Sequence, residues 1–202
     1  MKVCAIVGAG DFFPERFEKE KYGFIIAADG GWRTLLNIGV TPDLVVGDFD
    51  SSTAPIEFEC VRHKVEKDET DMHLAYLEGA QRGYDTFYVF GGVGGREDHT
   101  FANYCLLYYA KQEKNQMYLM ARDSYSFVIE NEDITLAADS GKTFSIFAFG
   151  SDARRVSIRG AKYNTDNVTL KCSFPLGVSN SFTDSTVTVT VGDGALLIMS
   201  EY

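Results

Sequence analysis

Short apolar runs recur through the N-terminal half, and each breaks off at a glycine or an aspartate. They are "VCAIVGAG" (3–10), "FIIAADGG" (24–31), "LVVGDFDS" (44–51) and "TFYVFGGVGG" (86–95), with "QMYLMA" (116–121) as a fifth. Near-continuous apolar runs of this length fit strands covered on both faces, the condition of a parallel sheet. Helical patterns lie between them. One begins near Gly31 and passes through Leu35 and Leu36. Another is "ETDMHLAYLEGAQRG" (69–83), with Thr70 as N-cap, Gly83 as stop and Met72, Ala75, Tyr76 and Ala80 at helical spacing. A third runs from about Glu97 to Lys111, with Phe101, Cys105, Leu106 and Tyr109 on one side. Strand and helix in alternation predict a doubly wound, mostly parallel α/β sheet.

After about residue 122 the helical period stops. "SYSFVIE", "ITLAA", "KTFSIFAFG", "RRVSIRG", "STVTVTV" and "ALLIMS" follow, separated by Asn131-Glu132, Ser140-Gly141 and Gly192-Asp193-Gly194. That pattern predicts an all-β sandwich. The expected organisation is α/β then all-β: residues 1–121 as an α/β domain and 122–202 as a β-sandwich, joined near 119–124. A hydrophobic content of 45% over 202 residues is enough to bury a core in each.

In an open parallel sheet, ligands bind beyond the carboxyl ends of the strands. The loops expected there carry unusual chemistry: Asp29 in "ADGG", Asp48 and Asp50 in "GDFDS", Asp68 and Asp71 in "KDETD", and Arg96 and Asp98 in "GGVGGREDH". Each loop alone has a plain structural explanation as a turn, a cap or a helix-dipole partner. Acidic loops repeated after one strand after another are harder to explain as turn propensity. Oxygen donors without a Cys or His cluster select Mg²⁺ or Ca²⁺. Asp48 and Asp50 are not part of an EF-hand, because no twelve-residue loop closed by Glu follows. Mg²⁺ shared between carboxylates, phosphate and water fits best.

Gly91, Gly92, Gly94 and Gly95 supply the phosphate side: small residues let backbone N–H groups approach an anion ahead of a helix N-terminus. Arg96 adds a guanidinium fork suited to phosphate oxygens. The spacing matches neither the P-loop nor the dinucleotide fingerprint. Together the features point to a nucleoside triphosphate with Mg²⁺.

The ordered set "ADGG" (28–31), "PDLVVGDFDS" (42–51), "KDETD" (67–71) and "GGVGGREDH" (91–99), followed by "GAKYNTDNVTLKCSFPLGVSNSF" (160–182), resembles the thiamine pyrophosphokinase family over nearly the whole chain. The resemblance implies transfer of the pyrophosphoryl group of ATP to the hydroxyl of thiamine, giving thiamine diphosphate and AMP. It implies a homodimer with the thiamine site at the subunit interface. It places Asp29, Asp48, Asp50 and Asp71 around Mg²⁺ and the thiamine alcohol. Gly91, Gly92, Gly94, Gly95 and Arg96 would hold the phosphates of ATP, with Asp98 beside them. Lys67 reads either as a further phosphate contact or as a solvated lysine flanking the helix, and His99, inside the glycine-loop motif, as a candidate phosphate contact. Tyr163 would stack on thiamine from the partner subunit, and Ser179 and Asn180 would flank its pyrimidine. Asp71 is the residue assigned to take the hydroxyl proton.

A net charge of −10 and a pI near 4.7 argue against a nucleic-acid partner. No apolar run approaches the roughly 18 residues that cross a bilayer. Cys4, Cys60, Cys105 and Cys172 are widely spaced, which predicts free thiols and a cytoplasmic protein. Two other classes compete: a nucleotide or thiamine sensor without turnover, and another Mg²⁺-dependent diphosphotransferase or hydrolase. The first needs no full acidic set, and the second leaves the "YNT" and "VSNSF" segments without a use.

Asp48→Asn and Asp50→Asn are each expected to remove most of the activity and leave the fold intact. Removing one of two adjacent like charges relieves repulsion, so the thermal midpoint without Mg²⁺ should hold or rise. A large loss of stability in that measurement would assign the pair to turn and capping roles.

Overall fold

The computed structural model describes residues 1–47, 58–62 and 68–202, and the chain divides into two compact units, Met1–Arg122 and Asp123–Tyr202. Among the described residues of the first unit, six strands form: β1 (Val3–Val7), β2 (Phe24–Ala28), β3 (Leu44–Gly47), β4 (Cys60–Arg62), β5 (Thr86–Phe90) and β6 (Gln116–Met120). All pair in parallel, in the order β4-β3-β2-β1-β5-β6. The apolar runs are buried as their composition requires. Cys4–Val7, Ile25–Ala28 and Leu44–Val46 are all nearly inaccessible.

Among the described residues, three α-helices join these strands: α1 (Gly31–Asn37), α2 (Asp71–Gln81) and α3 (Glu97–Gln112). Both α1 and α2 pack on the β1–β3 side of the sheet, and α3 packs on β6. The α2 start follows from capping, since Thr70 Oγ1 accepts the N–H of His73 at 3.2 Å. Gly83, at φ +80°, ends that segment.

The expected inner face of α3 differs from the observed one. Asn103, Leu106, Leu107 and Ala110 are buried, whereas Phe101 is 63% exposed and Cys105 and Tyr109 lie toward solvent. The buried face also includes Asn103, which reaches inward with its Nδ2 donating to the carbonyl of Gly92 at 2.7 Å.

The order of strands matters more than their number. From β1 the chain steps outward through β2, β3 and β4, then returns by α2 to place β5 on the other side of β1. The strand order therefore reverses between β1 and β5, and the crevice beyond their carboxyl ends is where such a sheet opens to a ligand.

The second unit is antiparallel: β7 (Ser124–Glu130), β8 (Asp133–Ala137), β9 (Thr143–Arg159), β10 (Thr165–Leu170), β11 (Asn180–Ser181), β12 (Thr186–Thr190) and β13 (Asp193–Glu201). The segments "KTFSIFAFG" and "RRVSIRG" form one strand, β9, where the sequence pattern suggests two. Its first half pairs with β13 and β11, and its second half with β12 and β10. Gly150 and Arg155, both at positive φ, lie at or just past the bend, and the β13 register skips between Asp193 and Ala195. One bent strand thus belongs to both sheets. Val156, Ile158, Val187 and Val189 fill the core on one side and Phe127, Phe144 and Ile198 on the other.

Gly31, the first residue of α1, sits directly on β1: a β-carbon there would lie 1.9 Å from the carbonyl oxygen of Val7. Gly31→Ala should cost on the order of 3 kcal/mol in urea denaturation, because backbone rather than a side chain must move. Gly39→Ala, at φ +73° with open space around it, should cost only about 1 kcal/mol. Equal costs would mean that strain, not the close approach to β1, sets the glycine requirement.

Candidate active site

Beyond the carboxyl ends of β1, β2 and β5 lies a cavity of about 380 Å³. Asp29 contributes from the end of β2 and Asp71 from the first turn of α2. Gly91, Gly92, Gly94 and Gly95 come from the turn after β5, and Arg96 and His99 from the start of α3. These residues, spread over seventy positions of sequence, share one hollow.

Asp29 is held in a left-handed conformation at φ +49° while its N–H donates to the carbonyl of Val46 at 2.8 Å. That bond fixes the Asp29 loop against the end of β3, from which the "GDFDS" segment departs. Asp48, Asp50 and Lys67 lie outside the described residues, as does His63.

The glycine turn presents its two kinds of backbone group differently. The carbonyls of Gly91, Gly92 and Val93 are engaged, by the Gly10 N–H at 2.9 Å, Asn103 Nδ2 at 2.7 Å and the Asp11 N–H at 2.8 Å. The N–H groups of Gly92, Gly94 and Gly95 donate to no described residue. A turn whose acceptors are occupied and whose donors are open suits an anion. Gly91 is required by position, since at φ +61° its β-carbon would meet the Gly8 carbonyl oxygen at 2.4 Å.

Arg96 precedes α3 and forks onto Asp98, Nε to Oδ1 at 3.1 Å and Nη2 to Oδ2 at 2.6 Å. The hydrogen bonds from Arg96 hold the Asp98 carboxyl below its usual range, and Asp98 in turn raises the Arg96 guanidinium. Both side chains are solvent-exposed, so the pair is well screened and open to exchange. Asp98 faces a neighbouring hollow between α2 and α3, with Asp68, His73, Phe101 and Tyr109. There His73 packs edge-on to Tyr109 at 4.6 Å, its Nε2 has no partner among the described residues, and burial pushes its pKa down.

Tyr163, Ser179 and Asn180 belong to the second unit. Tyr163 is 59% exposed, with Lys162 Nζ 5.3 Å from its ring centre. Asn180 is buried and grips the Tyr163 backbone from both ends: its Oδ1 accepts the Tyr163 N–H at 3.0 Å, and its Nδ2 donates to the Tyr163 carbonyl at 2.8 Å. The same Oδ1 accepts the Ser181 N–H at 2.9 Å. Ser179 stands beside it at φ +58°, its N–H on Ser145 Oγ at 3.0 Å.

The family model for the thiamin pyrophosphokinase catalytic domain matches residues 17–119, and that for the thiamin pyrophosphokinase vitamin B1 binding domain matches 131–196. The chain belongs to the thiamin pyrophosphokinase family. A thiamine pyrophosphokinase of Bacillus subtilis is 28% identical over 98% of each chain. A crystal structure of thiamine pyrophosphokinase from that organism superimposes with a TM-score of 0.89 at 26% identity, covering 99% of both chains. One from Geobacillus thermodenitrificans gives 0.86 at 25% identity, over 99% of this chain and 97% of the other. The chain is an enzyme of this family, with thiamine pyrophosphokinase activity.

Asp29, Asp71, the four glycines, Arg96 and His99, which the thiamin pyrophosphokinase motifs single out, are brought together by the fold. Those motifs did not select Gly8, Ala9, Gly10 or Asn103, which line the same cavity. The glycine turn after the first apolar run was the available signal for the first three. Asn103 carried none, because a lone Asn within a helical pattern is ordinary until its carbonyl partner is known. None of the four cysteines is in a disulfide, and no described helix is long and apolar enough to cross a membrane.

Asn180→Ala leaves the Tyr163 backbone N–H and carbonyl without their buried partner. A loss of about 1–3 kcal/mol is expected in chemical denaturation. A loss smaller than about 0.5 kcal/mol would mean that solvent replaces the clamp without cost.

Proposed function

We propose that the cavity beyond β1, β2 and β5 binds the triphosphate of ATP as its Mg²⁺ complex, and that Met1–Arg122 is the catalytic unit. The observation that carries this reading is the pairing, in one cavity, of a glycine turn with open N–H groups and two carboxylates, Asp29 and Asp71. Hard oxygen donors beside an anion-binding turn fit Mg²⁺ better than a softer metal. Asp29 and Asp71, with Asp48 and Asp50 from the adjoining segment, are the residues assigned to hold it. When bound, the ion neutralises phosphate charge and polarises the phosphorus under attack.

The chain's own groups divide the remaining work. N–H groups of Gly92, Gly94 and Gly95 hold phosphate oxygens. Arg96 exchanges Asp98 for phosphate, an exchange that an exposed, screened ion pair permits. His99 lies on the same wall. The thiamine hydroxyl oxygen forms a bond to the β-phosphorus, and the bond from that phosphorus to the α,β-bridging oxygen breaks. AMP leaves with the bridging oxygen, and the hydroxyl proton passes to a carboxylate, which we assign to Asp71.

The second unit is assigned the thiamine-binding and dimerising role, with the enzyme acting as a cytoplasmic homodimer. Tyr163 offers an exposed ring on a backbone held by Asn180, which suits stacking on a cationic ring from across a subunit interface.

Incubation with ATP, Mg²⁺ and thiamine should yield AMP and thiamine diphosphate, and chelation of Mg²⁺ should stop it. ADP with thiamine monophosphate would overturn the assigned bond cleavage. The shared site has a separate test. Tyr163→Ala should raise the thiamine KM roughly tenfold, with little change for ATP. Mixing that chain with an Asp48→Asn chain should restore activity, because one site of the mixed dimer carries neither lesion. Heterodimers that form and stay inactive would confine Tyr163 to its own chain.

A further inference from the structure

The cavity has a wall that neither the motif reading nor the catalytic-domain match, which begins at residue 17, includes. It is the turn after β1, Gly8-Ala9-Gly10-Asp11. This strand lies at the centre of the sheet, and its end lies in the crevice where the strand order reverses. The turn continues the pairing with β5 beyond the strands themselves. The Gly8 N–H donates to the Phe90 carbonyl at 2.8 Å, the Gly10 N–H to Gly91 at 2.9 Å and the Asp11 N–H to Val93 at 2.8 Å.

Both glycines of the turn are fixed by close approach. A β-carbon on Gly8 would meet the Gly91 carbonyl oxygen at 2.7 Å, and one on Gly10 the Val93 carbonyl oxygen at 2.5 Å. Ala9, between them, is different. It is exposed, it lines the cavity, and its N–H donates to no described residue. A β-carbon built on Gly30, beside Asp29, would lie 3.3 Å from the Ala9 methyl. Ala9 therefore stands between the Asp29 loop and the glycine turn, the two sides of the proposed triphosphate site.

We propose that the Gly8–Asp11 turn is the second wall of the triphosphate site and that the Ala9 side chain limits the room available to the phosphates. The proposal rests on the reading of this cavity as the ATP site. Ala9 is exposed and lines the cavity, so added side-chain volume there falls on the cavity side and not in the core. That volume should exclude ligand without disturbing the fold.

The test is calorimetric titration of ATP in MgCl₂ into the unsubstituted chain and into Ala9→Ser, Ala9→Val and Ala9→Leu. The Kd for ATP should rise with side-chain size, by about tenfold or more at Leu. The Kd for thiamine should stay within about twofold, and the thermal midpoint within about 2 °C, as for an exposed position. A Kd for ATP that is flat across the series overturns the proposal, as do ATP and thiamine affinities that fall together. Should the Leu variant fail to fold, the Ser and Val variants decide by the same criterion. AMP formation by the unsubstituted chain separates this inference from the functional reading. ATP binding without AMP overturns the reaction and leaves the wall assignment standing. AMP formation with a flat series overturns the wall assignment alone. No ATP binding at all overturns both.

Discussion

Close approach of backbone to backbone at the end of β1 is the constraint on which the site depends. On one side Gly31 lies against the Val7 carbonyl, and on the other Gly91 lies against the Gly8 carbonyl. Neither contact has room for a β-carbon. Their effect is to bring the loops after β2 and β5 onto the end of the central strand, closer than side chains would permit. The cavity forms where these loops converge, lined by their glycine backbone and by Asp29 and Arg96. Glycine is used here for its size as much as for its torsional freedom.

That compactness sorts the polar groups. In the turn after β5 the carbonyls face protein donors from Gly10, Asp11 and Asn103, and the N–H groups face the cavity. On the proposed reading, a chain with a net charge of −10 offers an anion site without a basic patch. Backbone dipoles supply the positive potential, and Arg96 keeps its charge neutralised on Asp98 in the absence of an anion. Asp29 and Asp71 line the same cavity, as the proposed binding of a hard cation requires. The inward face of α3 belongs to the same arrangement. Asn103 reaches inward to Gly92 while Phe101 stays exposed.

The second unit presents an exposed aromatic ring on a backbone that a buried side chain holds. Tyr163 has little of its own ring packed, but its backbone is held at both polar groups by the buried Asn180 amide. The "SN" segment therefore matters first for what Asn180 does to a residue seventeen positions away. The long β9 strand, bent near Gly150, supplies the frame by belonging to both sheets.

Much of this was legible in the sequence. Apolar runs ending in Gly or Asp identify parallel strands and place their loops, because a strand covered on both faces tolerates no polar residue until it leaves the sheet. Helix bounds followed from Thr70 and Gly83, which act locally. The family motifs identified Asp29, Asp71, Arg96 and the glycines as neighbours. Three features depended on tertiary structure. Which strands are adjacent, and so where the order reverses, is a choice among topologies that local pattern cannot make. The inward face of α3 joins the apolar Leu106, Leu107 and Ala110 to Asn103, whose bond to Gly92 apolar periodicity does not record. The role of Gly8-Ala9-Gly10 depends on β1 being central, since the same glycine turn on an edge strand would face solvent. Sequence by itself determined the elements and the chemistry each loop carries. Only the folded chain decided which loops meet, because that depends on backbone-to-backbone distances between residues far apart in sequence.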